Sequence, residues 1–186
     1  AGVFLSPIGP ESVAETSTWN WSHSNLFFAL PFYHDGARVS RPLGDSGWTA
    51  TAAVYNGWND VLDDNQTPSI DLIAAYSQGA WSAQVQYFGG IERPTGAPEG
   101  QPWRNLADAY VEGPLGCGLR WRVHVDGGAE RNAFGTSAWY AAAGYLKLDL
   151  DRRWYLAARG DYFREIVPAG AAPLFFPVVW VAEGTA

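Results

Sequence analysis

The chain is poor in sulfur and in charge. Its 186 residues include one cysteine and no methionine. A single Cys excludes an internal disulfide and any multi-cysteine metal cluster. Charged residues make up 17%, below the roughly 25% of ordinary soluble domains. Basic residues are the scarcer sign, 12 Lys and Arg against 19 Asp and Glu. A pI near 4.8 offers no basic patch for phosphates, so no nucleic-acid partner is expected. The longest apolar runs, 26–33 and 172–182, are interrupted by Pro and fall short of the about 18 residues of a membrane helix. No basic n-region followed by an apolar h-region opens the chain, so no signal peptide is expected. The absence of Met leads us to expect an excised piece of a longer chain. What is plentiful is 21 Gly, 12 Pro and 10 Trp: too much Gly and Pro for a helix bundle, and without the period of collagen.

Period-2 alternation runs through most of the chain. In 81–92, Trp81, Ala83, Val85, Tyr87 and Ile91 oppose Ser82, Gln84, Gln86 and Glu92. In 119–128, Leu119, Trp121, Val123 and Val125 oppose Arg120, Arg122, His124 and Asp126. Segments 48–58 and 154–164 alternate similarly, and 35–43, 70–77, 104–113 and 137–150 do so less cleanly. Eight strands are therefore predicted, with residues 1–33 irregular and loop-rich, 34–164 regular hairpins, and 165–186 a loop and partial strand. Short connections at 44–47, 78–80, 114–118 and 151–153 alternate with longer ones at 59–69, 93–103, 129–136 and 165–177. A soluble sandwich has no reason for that alternation; a membrane barrel, with tight turns at one end and long loops at the other, does. The fold class expected is all-β, an antiparallel up-and-down meander of a transmembrane β-barrel with partial flanking strands.

The Trp residues agree with this reading. Trp48, Trp81 and Trp154 each open a strand after a short turn, Trp121 follows one closely, and Tyr76 ends a strand on the same side. Together they predict an aromatic girdle at one membrane interface. At the opposite level the candidates are Trp58, Tyr87, Tyr140 and Tyr162. The other parity carries Arg38, Asp71, Gln84, Gln86, Glu92, Asp108, Arg120, Arg122, His124, Asp126, Lys147, Asp149, Arg159 and Asp161. With the apolar face in lipid, these side chains line water or pair across the interior. Mixed signs predict a hydrated, ion-paired lumen of weak charge selectivity.

Other motifs read more plainly. Gly44-Asp-Ser-Gly47 matches a serine-protease nucleophile motif, but its residues are also those of a tight turn. Asp60, Asp63, Asp64 and Asn65 form an acidic loop that is a solvated external segment, with Ca²⁺ as a minor option. His23, His34 and His124 lack metal-ligand spacing, and Cys117 sits in a Gly-rich turn without a partner. No catalytic residue, metal or cofactor is expected.

The block Trp19-Asn-Trp-Ser-His-Ser24, followed by Leu26-Phe27, Pro31-Phe32, His34-Asp-Gly36, Asn56-Gly-Trp-Asn-Asp60 and Asp63-Asp-Asn65, resembles the OmpL-like β-barrel porin family of Gram-negative outer membranes. Residues 2–11, Asn105-Leu-Ala-Asp108, Trp139-Tyr140 with Gly144-Tyr145, and Leu156-Ala-Ala-Arg-Gly-Asp-Tyr-Phe163 follow the same order. The resemblance implies a larger barrel of which this chain is an internal fragment. It implies an outer-membrane location and passive diffusion of small hydrophilic solutes or ions through a polar lumen. The partners expected are membrane lipid and those solutes, with homo-oligomerisation left open. Two alternatives stand beside it: a soluble Trp-rich β-sandwich that binds carbohydrate, and an outer-membrane hydrolase.

Overall fold

The computed structural model describes residues 1–14 and 18–175. Its elements are β1 (Gly2–Leu5), α1 (Asn25–Phe28), β2 (Tyr33–Pro42), β3 (Trp48–Tyr55), β4 (Ser69–Gln78), β5 (Trp81–Ile91), β6 (Trp103–Gly116), β7 (Leu119–Asn132), β8 (Gly135–Asp149) and β9 (Tyr155–Ile166). The strands form one nine-stranded antiparallel sheet in chain order. This is the all-β meander read from the alternation, with β1 as a short flanking strand. A sandwich needs two sheets packed face to face, and the described residues form one. That sheet is not closed: β1 and β9 are its edges. No described helix is long and apolar enough to cross a membrane.

The alternation places apolar side chains on the convex face. Leu72, Val85, Val125 and Leu156 are between 45 and 59% exposed there, although side chains of this kind are ordinarily buried. So large an apolar exposure marks a surface that meets another apolar phase, and the family of strands that carries it is long enough to span one.

Two expectations about connections need correction. The sequence places a longer connection at 129–136. Instead β7 and β8 run on to a two-residue turn at Ala133 and Phe134. Glu130 sits on the concave parity, opposite Ser137, and both are fully buried. Its charge is met by two arginines, so a polar sequence here is a satisfied strand. Alternation also stops earlier than expected in β3, which ends at Tyr55. Gly57 (φ 151°) and Asn59 (φ 64°) turn the chain there, and an L-residue adopts such angles reluctantly.

Residues 6–14 and 18–32 fold back over the concave face. Ile8, Trp19, Leu26, Ala29 and Leu30 join Tyr55, Phe88, Leu106, Trp139, Tyr145 and Phe163 in one buried cluster. The single turn α1 is capped by Ser24, whose hydroxyl accepts from the Phe27 amide at 3.3 Å. Glu11 accepts from both the amide and the hydroxyl of Ser24. The interior of this sheet is thus half polar and half apolar.

Candidate functional site

The concave face carries its polar side chains in three levels set by strand register. Nearest the short turns, Glu112 accepts from Arg122 at 2.5–2.8 Å and from Arg120 at 3.0 Å. Arg122 lies against the Trp19 ring, 4.3 Å from its centroid. Lys147 pairs with Asp149 at 3.0 Å.

At mid-height two networks lie side by side. Tyr55 donates to Asp71 at 3.2 Å, Gln86 donates to the same carboxylate at 2.8 Å, and Gln84 donates to Gln86 and to the Pro7 carbonyl, each at 2.8 Å. Beside them His124 donates to Asp108 at 2.5 Å, and the Trp139 indole donates to Asp126 at 2.9 Å. On the β9 side, Arg159 holds Asp161 at 3.0 Å and the Ser22 carbonyl at 2.5 Å, and Asn25 donates to Asp161 at 2.6 Å.

Toward the long loops, Arg93 and Arg104 converge on Glu130 at 2.8 and 2.9 Å. Glu92 accepts from the Ser69 hydroxyl at 2.6 Å and the Trp58 amide at 2.7 Å. Burial is the main reason its carboxyl is pushed up to about 7, and the neighbouring Asp60 adds to it. Asp60 itself is pushed up to about 6 by burial and by Asp64 and Asp63. Asp63 is already used within the loop, accepting from the amides of Asn65 and Gln66 at 2.9 and 2.6 Å. An open cavity of about 820 Å³ lies at this end, between α1, Trp58 and Phe175.

Each residue assigned to the lumen by parity falls on the concave side of the sheet, but the face is not open to water. Asp71, Gln84, Gln86, Asp108, Arg122, His124 and Asp126 are buried, and Glu92, Arg120, Lys147, Arg159 and Asp161 are half-buried. Arg38 is exposed beside the β1 edge, over the Phe4 ring at 4.8 Å, and Asp149 is exposed at a turn. The hydrated lining expected from the sequence is, in the described residues, a set of ion pairs and hydrogen-bonded carboxylates under residues 6–14 and 18–32.

On the convex face Trp48 contacts Tyr76 at 5.2 Å between ring centroids, Trp81 contacts Trp121 at 6.2 Å, and Tyr140 contacts Tyr162 at 6.1 Å. Trp154 is exposed. Tyr87 accepts from the Trp103 indole at 3.2 Å. Trp103 went unassigned in the sequence, although its parity in β6 matches the other outward rings. Trp58 is a correction. It packs inward against Phe88 at 5.5 Å and Trp139 at 6.1 Å, because the turn at Gly57 breaks the parity that would have placed it in a girdle.

Arg104 and Glu112 share the parity of Asp108 in β6 without having been assigned to the lumen, and Tyr55, Arg93 and Glu130 join them in holding charges in place. Ser46 is bonded within its turn, donating to the Leu43 carbonyl at 2.6 Å, which is the hairpin role that Gly44-Asp-Ser-Gly47 suggested. Linear spacing showed no metal-ligand set, yet register brings Asp108, His124 and Asp126 together with ligand atoms within 4.8 Å of one another. Residues 1–171 match the family model described as putative beta-barrel porin-2, OmpL-like. No curated protein and no solved structure matches the chain.

Proposed function

The chain belongs to the OmpL-like β-barrel porin family, and from that premise we propose that it lets small hydrophilic solutes or ions diffuse passively across a bacterial outer membrane. The observation that carries the reading is the two-sidedness of one sheet: exposed aliphatic side chains on its convex face, paired charges on its concave face. Lipid on one side and solute on the other account for both. Strand edges in hydrocarbon leave backbone groups unpaired, so β1 and β9 pair with further strands or with a second copy of the chain. The solute path follows the concave side, past the exposed or half-buried Arg38, Glu92, Arg120, Lys147, Asp149, Arg159 and Asp161, with Asp71, Asp108, Arg122 and Asp126 buried behind them. Residues 6–14 and 18–32 narrow it. Mixed signs in close pairs support weak ion selectivity, and the role is transport without catalysis.

Planar-bilayer recording tests this. The expected result is stepwise conductance with little preference between K⁺ and Cl⁻, enlarged in a variant lacking residues 6–24. Absence of conductance from both proteins, each inserted in the bilayer, would overturn the pore reading.

A further inference from the structure

We infer that Asp108, His124 and Asp126 form a buried binding site for one first-row transition-metal dication, of the Zn²⁺ or Co²⁺ type. Asp108 on β6 and Asp126 on β7 are register partners. His124 lies two residues before Asp126 and so on the same face. The three residues are 3, 1 and 6% exposed. Two carboxylates facing each other in a poorly solvated interior repel, and such a pair requires a proton or a cation.

The neighbouring guanidinium groups do not supply that cation. Arg122 is committed to Glu112 and Arg104 to Glu130. The hydrogen bonds described above use one atom of each residue. Asp108 Oδ1, His124 Nδ1 and Asp126 Oδ2 remain buried with no hydrogen-bond partner among the described residues. Three such atoms in one cluster are unusual, since buried polar atoms are nearly always satisfied.

Their geometry suits a metal. Imidazole nitrogen and carboxylate oxygen bind Zn²⁺ at about 2.0–2.2 Å, so ligands of one ion lie within roughly 4.4 Å of each other. One ligand atom from each of the three residues lies within 4.8 Å of the other two, so gathering the residues round one ion needs only a few tenths of an ångström of adjustment. An imidazole among the ligands favours later first-row dications such as Co²⁺, Ni²⁺ and Zn²⁺ over Mn²⁺, Ca²⁺ and Mg²⁺, and the lack of thiolate disfavours Cu⁺. Two carboxylates and a neutral imidazole balance a double positive charge, leaving further positions for water. Around the ligands, Trp139 orients Asp126 through its indole N–H, as groups behind metal ligands commonly do. Gly9 covers the imidazole so closely that a Cβ there would lie 3.1 Å from His124 Cε1. The site is therefore closed by the inward-folded segment.

The test uses the intact chain, folded in detergent and stripped with a chelator. Titration with Co²⁺, followed by its visible absorption, is expected to saturate at one equivalent and to reverse on adding Zn²⁺. His124→Gln and Asp126→Asn are each expected to weaken Zn²⁺ at least tenfold by calorimetry, whereas Asp64→Asn in the acidic loop leaves it unchanged. Should those variants fail to fold, X-ray absorption on the Zn²⁺-loaded intact chain decides. One imidazole with oxygen ligands supports the site; a sulfur ligand, several imidazoles or none overturns it. Failure of Co²⁺ and Zn²⁺ to bind the intact chain overturns it as well. None of these readouts depends on conductance.

Discussion

The Arg122 guanidinium lies over the Trp19 ring, 4.3 Å from its centroid, and so joins the inward-folded segment to the middle of the sheet. Arg122 is simultaneously anchored by Glu112. The ring therefore stacks on a cation already held in place, which lowers the entropy lost in forming the contact.

Trp19→Ala removes that contact and a nearly buried ring. The expected cost is about 3 kcal/mol, typical of large-to-small changes with a cavity left behind. Urea unfolding in lipid vesicles measures it, and protease cleavage within residues 6–32 should accelerate in parallel.

Glu130 holds two arginines with almost no access to water, its own side chain being 0% exposed. Glu130→Ala leaves both cations buried without a counter-charge, a change that costs about 3–5 kcal/mol. The outcome expected is a lowered denaturation midpoint, with the turn at Ala133 and Phe134 losing amide-exchange protection first. A stability equal to that of the unmodified chain would contradict the assigned pairing.

Quenching by brominated lipid separates outward from inward rings. In single-Trp variants, Trp48, Trp81, Trp103 and Trp154 are expected to be quenched strongly. Trp19, Trp58 and Trp139 are expected to be protected. Strong quenching of Trp58 would restore it to the girdle.

The loop of residues 56–68 is expected to tighten as pH falls. Glu92 and Asp60 carry carboxyls pushed up to about 7 and about 6, so the folded loop binds protons more strongly than the unfolded chain does. Stability is then greatest below the ordinary carboxylate range and declines as pH rises toward 7, becoming flat above it. Hydrogen exchange of residues 56–68 at pH 5 and pH 8 measures the difference, and Glu92→Gln should largely abolish it.

The regular strands were legible because a half-buried strand repeats every two residues, and the outward rings Trp48, Trp81 and Trp121 follow that count. Trp58 was misplaced for the same reason: a count of two fails once Gly57 and Asn59 turn the chain. Glu130 was hidden inside an apparent loop, since polarity signals solvent unless a distant arginine answers it. Arg93 and Arg104 lie 37 and 26 positions away in sequence, beyond any local pattern.

What the sequence determined by itself is therefore local and periodic: strand class, the order of the hairpins, the apolar and polar faces of each strand and the family to which the chain belongs. These follow from side-chain alternation and turn chemistry, which act over a few residues. The tertiary structure alone decided that residues 6–14 and 18–32 cover the concave face, that Glu130 gathers two arginines, and that Asp108 meets His124 and Asp126. Those relations depend on cross-strand register and on the path of a long connection. Both are set by the packing of the whole sheet, where the free energy of burying Trp19, Leu26 and Trp139 together selects one arrangement among many that the local pattern allows.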